Sequence, residues 1–528
     1  MKATLTVACI FLKSVWQAVS LRSALTALLL APLCVLCAAA APEPTAKPNL
    51  VIIFTDDMGY ADIGAYGCKD IPTPHLDRLA AEGTRFTSAY TVAPICVPSR
   101  MGLMSGKFPA RFGVFNNVYT PEENQLWMQQ TTLADVLKSR GYRTANVGKW
   151  HLSGNSSGHS GNDLGGFQFK PPHERGFDEF VGITGGMNSF WKGTELARLK
   201  DGKYERFKSP DYLTDFFGTE ACEFIQRVHT KNQEPATKNK EPFFLYLAFN
   251  APHAPLDSLD EDQAAIEAGY ISPDRRKYAA MVRAIDRNVG RVMDKLQELG
   301  LADNTLIVLA SDNGGVAKTR YSEANRPFRE GKGTHYEGGV RVPLAIRWPG
   351  HIPPDSSCDV PVQFADFLPT FCEAAGVTPD SAHPLDGVSL FPLFAQGTLP
   401  DRSLFLTFPH YMREYAATPV RTVIQNRYKL VWHPFDHIEI DGDKISDRTL
   451  RYVAEPRIEL FDLLEDPSER QNLAQKMPGK VAELQKLYEE WMEKIGAKNP
   501  VPNPGYDPAD PLFNARDAEL KKQKPSTE

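Results

Sequence analysis

Short apolar runs of strand length alternate with amphipathic helical patterns along most of the chain. The runs that predict strands span residues 50–54, 143–147, 243–249 and 305–310. Helical periodicity lies between them, at residues 75–82, 132–139 and 273–299. This alternation is typical of an α/β fold, and we predict a large mixed, mostly parallel sheet flanked by helices.

The helix predicted at 273–299 has the clearest signals at both ends. Ser272 belongs to a residue type that caps helix N-termini, and Gly300 belongs to the type that ends helices. Apolar residues such as Tyr278, Ile285 and Leu296 recur on one face. We interpret this face as part of the core and not as a cofactor site.

The pattern changes after residue 395. An amphipathic helix that bears Trp491 on its apolar face follows four strand-like runs, at 403–408, 421–424, 428–432 and 459–463. We therefore predict a main domain over 47–395 and a smaller C-terminal subdomain over 396–500, made of an antiparallel sheet and a helix. Residues 501–528, rich in Pro, Asp and Lys, are predicted to form an extended tail.

The first 41 residues have the pattern of a secretory signal. Lys2, Lys13 and Arg22 precede the apolar run 24–36, and four alanines at 38–41 follow it. The run is shorter than the ~20 residues that a membrane-spanning helix needs. We therefore predict a signal peptide over 1–41, no membrane span, and a secreted, periplasmic or otherwise exported protein.

The charge of the chain argues against a nucleic-acid partner. The net charge is −6 for 528 residues, and loss of a signal with three basic and no acidic residues gives −6 − 3 = −9. The cysteines at 68, 222, 358 and 372 could form disulfides after export, but their spacing does not define a pairing.

Polar side chains follow the predicted strands at the point where each strand ends. They are Asp56 and Asp57, Lys149 and His151, His253, and Asp312 and Asn313. Ligands of open α/β sheets bind beyond the carboxyl ends of the strands, where loops supply polar groups on a rigid base. We expect one pocket to gather these side chains.

Two acidic pairs in this set predict a metal site. Asp56, Asp57, Asp312 and Asn313 offer only oxygen donors, which favours a hard divalent cation over zinc. Either pair alone is also typical of a turn. Both pairs follow predicted strands, and together with the stretch at residues 96–100 this favours the metal interpretation. We expect one calcium ion.

Residues 96–100, Cys96-Val97-Pro98-Ser99-Arg100, combine a reactive sulfur, a turn-forming proline and a cation. The stretch resembles the C-x-P-S-R signature of the sulfatases. The resemblance implies that a maturation enzyme oxidises Cys96 to formylglycine (3-oxoalanine), that the modified residue also contacts the metal, and that Arg100 supports it. A lone cysteine is more often a buried apolar side chain, so the rest of the chain decides between the two interpretations.

Formylglycine solves a chemical problem of sulfate transfer. A thiolate that attacked the sulfur of a sulfate ester would remain in a stable adduct. With a hydrated aldehyde, one hydroxyl attacks sulfur and the alcohol leaves. The second hydroxyl then loses its proton and sulfate is expelled by C–O cleavage, which regenerates the aldehyde.

The element Gly148-Lys149-Trp150-His151 matches the G-K-W-H element of sulfatases. The resemblance implies that Lys149 contacts sulfate and the diol, and that His151 assists deprotonation of the diol. His253, which lies between prolines in Pro252-His253-Ala254-Pro255, is implied to give a proton to the departing alcohol.

A later element, Gly331-Lys332-Gly333-Thr334-His335-Tyr336-Glu337-Gly338-Gly339, matches the sulfatase pattern K-G-x-x-x-E-G-G. The resemblance implies that Lys332 binds sulfate and neutralises charge on the bridging oxygen. For His335 two roles stay open, since it either reaches the substrate or orders the loop.

The likeness spans residues 49–473 and covers all these motifs in the family's order. It implies an alkaline-phosphatase-like fold and a sulfuric ester hydrolase, similar to arylsulfatases and N-acetylgalactosamine-6-sulfatases, that acts on a sulfated carbohydrate or an aryl sulfate. One alternative is a phosphonate or phosphodiester hydrolase of the same superfamily. Another is a catalytically inactive glycan-binding relative. Loops at 153–169 and 185–199 are predicted to contact the sugar.

Overall fold

A computed structural model describes most of the chain after residue 46. The described residues are 47–117, 121–153, 171–200, 202–235, 237, 240–266, 272–316, 325–379, 384–412, 417–435, 437–441, 449–453 and 455–497. The described residues from 48 onward belong to one compact unit. The predicted signal peptide, most of the 153–169 loop and the predicted tail lie outside the described residues.

Eighteen strands occur in the described part of the chain. In chain order, β1 to β18 are Asn49–Thr55, Thr84–Phe86, Ala89–Tyr90, Arg143–Lys149, Glu179–Ile183, Glu195–Lys200, Lys203–Lys208, Phe243–Ala248, Thr305–Ser311, Leu344–Arg347, Ser356–Cys358, Val362–Gln363, Ser403–Phe408, Val420–Gln425, Tyr428–His433, His437–Asp441, Thr449–Val453 and Arg457–Asp462.

Eleven α-helices accompany these strands in the same described ranges. In chain order, α1 to α11 are Pro74–Ala81, Cys96–Ser105, Pro121–Met128, Leu133–Ser139, Leu213–Gln233, Asp260–Ala264, Pro273–Glu298, Glu337–Val340, Phe367–Ala374, Phe391–Phe394 and Pro478–Ile495.

A ten-stranded sheet forms the centre of the molecule. Its order is β11-β2-β10-β9-β1-β8-β4-β5-β6-β7. The five adjacent strands β9, β1, β8, β4 and β5 are parallel. Strands β10, β6 and β7 pair antiparallel, so the sheet is mixed as predicted.

Strand β1 shows why this sheet needs helices on both faces. Its side chains alternate between two large apolar clusters, with Leu50, Ile52 and Phe54 in one and Val51 and Ile53 in the other. Every residue of β1 is buried. A central strand of a parallel sheet has no solvent face, which explains its continuous apolar sequence.

The helix α7 confirms the prediction made from its periodicity. It begins at Pro273, and the Ser272 hydroxyl accepts a hydrogen bond from the backbone N–H of Arg275 at 3.2 Å. Gly300, with φ of 66°, follows its end. The apolar face is buried in the core, as expected.

The C-terminal part forms the predicted antiparallel sheet and helix. Strands β13, β14, β15 and β18 pair antiparallel in that order. Helix α11 packs against it, and Trp491 stacks on Phe405 of β13 with ring centroids 4.9 Å apart. The division at residues 395 and 396 stays a prediction.

Two further observations concern the membrane and the cysteines. In the described ranges no helix combines the length and the apolar character that crossing a bilayer requires. Cys68, Cys222, Cys358 and Cys372 are all free thiols.

Candidate active site

The carboxyl ends of β1 and β9 bring the two predicted acidic pairs together. These strands are parallel neighbours, so Asp56 and Asp57 leave the sheet beside Asp312. The backbone N–H of Asp57 donates to Asp312 Oδ1 at 3.1 Å. Asp57 adopts a left-handed conformation with φ of 66°, which is costly for a non-glycine residue and typical of functional sites.

Three carboxylates and one sulfur converge at this point. Asp56, Asp57, Asp312 and Cys96 each direct one ligand atom into a group whose members lie within 4.8 Å of one another. Asn313 is buried beside them, and its Nδ2 donates to Asp57 Oδ1 at 2.7 Å. The oxygen-rich set is the one that the sequence predicted.

Three buried cations balance the three carboxylates. Arg100 binds Asp312 Oδ2 through Nε and Nη2 at 3.1 and 2.8 Å. Lys149 Nζ lies 2.6 Å from Asp56 Oδ2, and Lys332 Nζ lies 2.8 Å from Asp57 Oδ1. Because charges in a low-dielectric interior are costly unless paired, this balance lets the cluster stay buried.

The carboxylates differ in their pKa values. Burial acts to raise the pKa of Asp56, but the charges of Lys149, His253 and Arg100 outweigh it and lower the value to about 2. Burial, together with the neighbouring Asp56, raises the pKa of Asp312 above its usual range. Asp56 therefore ionises more readily than Asp312. An added cation would reduce the repulsion between the carboxylates.

Cys96 is the first residue of α2 and lies at the centre of the cluster. Its thiol donates to Asp56 Oδ1 at 3.6 Å, and Lys332 Nζ donates to its sulfur at 3.4 Å. The side chain is buried, which raises the pKa of the thiol to about 12. An unmodified Cys96 is therefore a protonated thiol at neutral pH and a poor nucleophile.

Both predicted histidines join the site. His151 adopts φ of 56°, so the chain turns there. Burial and the nearby charges of Lys149 and Arg100 hold the pKa of His151 well below its usual range, so its imidazole is neutral. His151 Nδ1 is buried and has no hydrogen-bond partner in the described part of the chain.

His253 lies at the rim of the cluster. Its Nδ1 is 2.7 Å from the carbonyl oxygen of Ala254, which can only accept, so Nδ1 carries a proton. Its Nε2 lies 3.6 Å from Asp57 Oδ2 and is the atom free to exchange a proton with a ligand. The side chain is partly exposed, at 17 %, which suits a group that meets substrate.

The donor atoms fit a divalent cation of the calcium type. Asn313 Oδ1 is buried and lacks a hydrogen-bond partner among the described residues, although Nδ2 of the same amide makes two hydrogen bonds. A buried carbonyl oxygen without a partner is costly. A hard cation held by Asp56, Asp57 and Asp312 would satisfy it.

His335 does not join this cluster. Its Nδ1 lies 3.0 Å from the hydroxyl of Thr422 in β14, and its side chain is directed toward the small sheet. Two residues that the sequence analysis did not single out do take part. The hydroxyl of Tyr246 accepts from Arg100 Nη1 at 3.3 Å, and Gly186 packs against the ring of His151.

Family models match almost the whole described chain. The model described as Sulfatase matches residues 48–377. A second model, described as N-sulphoglucosamine sulphohydrolase, C-terminal, matches residues 331–498.

Named relatives and solved structures agree with these matches. The N-acetylgalactosamine-6-sulfatase of Rattus norvegicus is 32% identical over 471 residues, which cover 82% of each chain. Arylsulfatase A of Homo sapiens is 33% identical over 480 residues, covering 86% of this chain and 89% of that protein. The crystal structure of Ps i-CgsB is 30% identical, with a TM-score of 0.70, and covers 91% of this chain and 98% of that chain.

The family model spans well over half of the chain, and the matched segment contains both acidic pairs, Cys96, the two histidines and the three buried cations. This chain belongs to the sulfatase family and is a sulfuric ester hydrolase.

Proposed function

We propose that the protein removes sulfate from a sulfated carbohydrate or an aryl sulfate, with formylglycine at position 96 and one calcium ion. The observation that carries the proposal is the setting of Cys96. Its buried thiol lies among three carboxylates and three cations, 3.4 Å from Lys332 Nζ, and its pKa is raised to about 12. This setting would suit a nucleophile that attacks an anion. In the metal-free site the raised pKa disfavours the thiolate of an unmodified cysteine, which favours the modified residue.

The cation would be held by Asp56, Asp57, Asp312 and Asn313. When bound, calcium would supply a positive charge that draws electron density from the sulfate oxygens. Formylglycine would supply the attacking hydroxyl and a second hydroxyl for release of sulfate.

The chain's own cations would bind the sulfate group. Lys332 and Lys149 carry buried ammonium groups beside the residue at position 96, and each is paired with an aspartate in the structure. With a divalent cation on those aspartates, the ammonium groups become available to sulfate oxygens. They would stabilise charge that develops as the S–O bond breaks.

The two histidines would transfer protons in different steps of the reaction. Nε2 of His253 faces the rim, where it would donate a proton to the departing alcohol oxygen. His151 is neutral and buried, so its imidazole would accept the proton lost from the second hydroxyl at position 96. Arg100, which binds Asp312 and Asp56, would hold these carboxylates in place.

Substrate class and export follow from the relatives and from the N-terminal pattern. The homologous Ps i-CgsB was solved in complex with k-i-k-neocarrahexaose, which supports a saccharide substrate here. Residues 1–41 have the composition of a signal peptide, so we propose that the protein is exported after, or together with, its maturation by a formylglycine-generating enzyme.

The test combines mass spectrometry with an activity panel. In protein made in a host with a maturation enzyme, we expect the peptide around residue 96 to carry an aldehyde. We expect sulfate release from para-nitrophenyl sulfate or from sulfated disaccharides, loss of that activity in Cys96→Ala, and no comparable turnover of a phosphodiester. A fully active protein with an unmodified thiol would refute the proposal.

A further inference from the structure

A cavity of about 260 Å³ lies beside the active site, where residues 329–336 pack against the small sheet. Its walls come from the loop that carries Lys332 and from strands β14 to β16, through side chains that include His335, Tyr336, Thr418, Val431 and His433. No residue of the catalytic cluster lines it. The volume is close to the ~300 Å³ at which small-molecule sites begin.

His335 points to a ligand in this cavity. Only 1% of the residue is exposed, and Nδ1 is engaged with the Thr422 hydroxyl at 3.0 Å. Nε2 is buried and makes no hydrogen bond to any described residue. Leaving a buried polar atom without a partner costs about 1–3 kcal/mol, so a donor or acceptor supplied by a ligand would be favoured there.

Two histidines of the cavity, His335 and His433, are neutral. Burial, with the charge of Lys429, lowers the pKa of His335 well below its usual range. Burial also lowers the pKa of His433 to about 4, and its Nδ1 lies 3.0 Å from the Thr418 hydroxyl. These side chains therefore offer uncharged donors and acceptors, as a sugar hydroxyl requires.

The arginines of the cavity are already balanced. Arg329 and Arg457 both contact Glu459 Oε1, at 3.4 and 2.6 Å. Arg329 also lies over the ring of Tyr336, 3.9 Å from its centroid. Glu330 also lines the cavity, and its charge acts on Arg329. Because two carboxylates, Glu459 and Glu330, balance the two guanidinium groups, the cavity favours a neutral ligand over a second sulfate group.

Apolar surface completes the match to a sugar. Ala417, Val420 and Val431 line the cavity and belong to a small apolar cluster that also contains Tyr336 and Ile95. A pyranose ring presents C–H groups on its faces and hydroxyls around its edge. Uncharged polar side chains beside apolar walls complement that arrangement.

We propose that this cavity is a subsite for an uncharged sugar ring of the sulfated saccharide, recognised through His335 Nε2. The inference rests on the proposed function and names the part of the substrate that lies beyond the sulfate ester. The cavity lies close to the reacting residue at position 96. Lys332 contacts Cys96, and the residues that follow it, Gly333 to Tyr336, form part of the cavity wall. Ile95, which precedes Cys96, packs in the same apolar cluster.

The test compares substrates with and without a sugar. The probes are mono- and disulfated disaccharides from carrageenan, whose unsulfated rings are neutral, with para-nitrophenyl sulfate as the sugar-free substrate. For His335→Leu we expect the ratio of kcat/KM for the disaccharide to kcat/KM for the aryl sulfate to fall at least 10-fold, mainly through KM. His335→Gln, whose amide can reach the position of Nε2, should recover most of that ratio.

Three results would overturn the subsite. An equal loss on both substrates would show that His335 only orders the Lys332 loop. No change in the ratio would show that the cavity is unused. A loss confined to the disulfated disaccharide would show that the cavity binds an anion.

A binding measurement separates this inference from the proposed function. If wild-type protein released sulfate from none of the probes, the proposed function would fail. Calorimetric titration with the desulfated disaccharides would still decide the subsite. We expect binding by wild-type protein that is at least 10-fold weaker in His335→Leu, and equal or absent binding in both would refute the subsite.

Discussion

Gly186 leaves just enough room for the imidazole of His151. A Cβ atom built on Gly186 would lie 2.6 Å from both Nε2 and Cε1 of His151, which is closer than real contacts allow. The position therefore admits no side chain unless the ring moves. Gly186 lies in the 185–199 segment that the sequence analysis assigned to substrate contact. Only its first part is a loop, because β6 begins at Glu195.

The first prediction follows from this contact. Gly186→Ala should displace the His151 ring and lower kcat for sulfate release by about 10- to 100-fold, because small misplacements of catalytic groups cost this much. A matched control is Gly479→Ala, since a Cβ atom there meets nothing within 4 Å. Steady-state kinetics on both variants would check it, and wild-type kcat in Gly186→Ala would contradict the assignment of His151.

The second prediction concerns the metal. Because Arg100, Lys149 and Lys332 balance Asp56, Asp57 and Asp312, chelation should leave the fold intact while it removes activity. Calcium at 100 times its Kd should stabilise the chelated protein by about 2.7 kcal/mol. Asn313→Leu should lose most of this gain, since it removes an oxygen that has no other partner in the described chain.

Circular dichroism and thermal melts, with and without calcium, would measure both effects. Magnesium is the control, because it prefers fewer protein ligands and retains water. A chelated protein that unfolds, or an Asn313→Leu variant with the full calcium response, would contradict the assignment.

The sequence predicted the elements whose patterns are local. Strand β1 and helix α7 were predicted within about one residue of their bounds, because a fully buried strand and an amphipathic helix each impose a period on the chain. Strands β6 and β7 were missed. Strand β7 is the edge strand and β6 is its neighbour, and their polar sequences carry little periodicity. Strand β10 was missed because it lies antiparallel between β9 and β2, and this pairing depends on residues that are distant in the sequence.

The site was predicted for a topological reason. Residues after parallel strands meet at one edge of the sheet, so Asp56 and Asp312 could be placed together although 256 residues separate them. The sequence could not reveal that His335 faces the small sheet, because that orientation depends on how the loop packs. The contact between Gly186 and His151 also needs coordinates, since glycine has no side chain to signal a role.

The third prediction concerns a buried ion cluster behind the Lys332 loop. Lys429 Nζ lies 2.8 Å from Glu337 Oε1 and 2.9 Å from Glu469 Oε1, and all three side chains are fully buried. Lys429→Met would leave both glutamates without their shared cation. Breaking a buried pair in this way costs about 3–5 kcal/mol.

Urea unfolding would measure this cost. The control is Lys486→Met, because Lys486 is 77% exposed and its pair with Glu490, at 3.7 Å, contributes little. We expect the control to stay within about 0.5 kcal/mol of wild-type protein. Equal stabilities for the two variants would show that the cluster does not hold the small sheet to the loop.

The fourth prediction uses the opposite pKa shifts of the two glutamates. Burial raises the pKa of Glu469 to about 7, despite the charge of Lys429. Burial also acts on Glu337, but Lys429 and Arg341 outweigh it and lower its pKa. Between pH 4.5 and 7 the native protein therefore holds a proton on Glu469 that the unfolded chain has lost, so this group makes stability fall as the pH rises.

Glu469→Gln removes that titration. The variant should match wild-type protein near pH 4.5, where Glu469 is protonated, and should exceed it at pH 8 by on the order of 2–3 kcal/mol, at 1.36 kcal/mol per pKa unit. The lowered pKa of Glu337 has the opposite effect on stability. Its contribution is present above the unfolded pKa and is lost as the pH falls. Glu337→Gln should therefore be less stable than wild-type protein at pH 8. Unfolding free energies of the two variants across this pH range would check both signs. If the two substitutions changed stability in the same direction at pH 8, the two glutamates around Lys429 would not have opposite pKa shifts, one raised and one lowered, as the structure indicates.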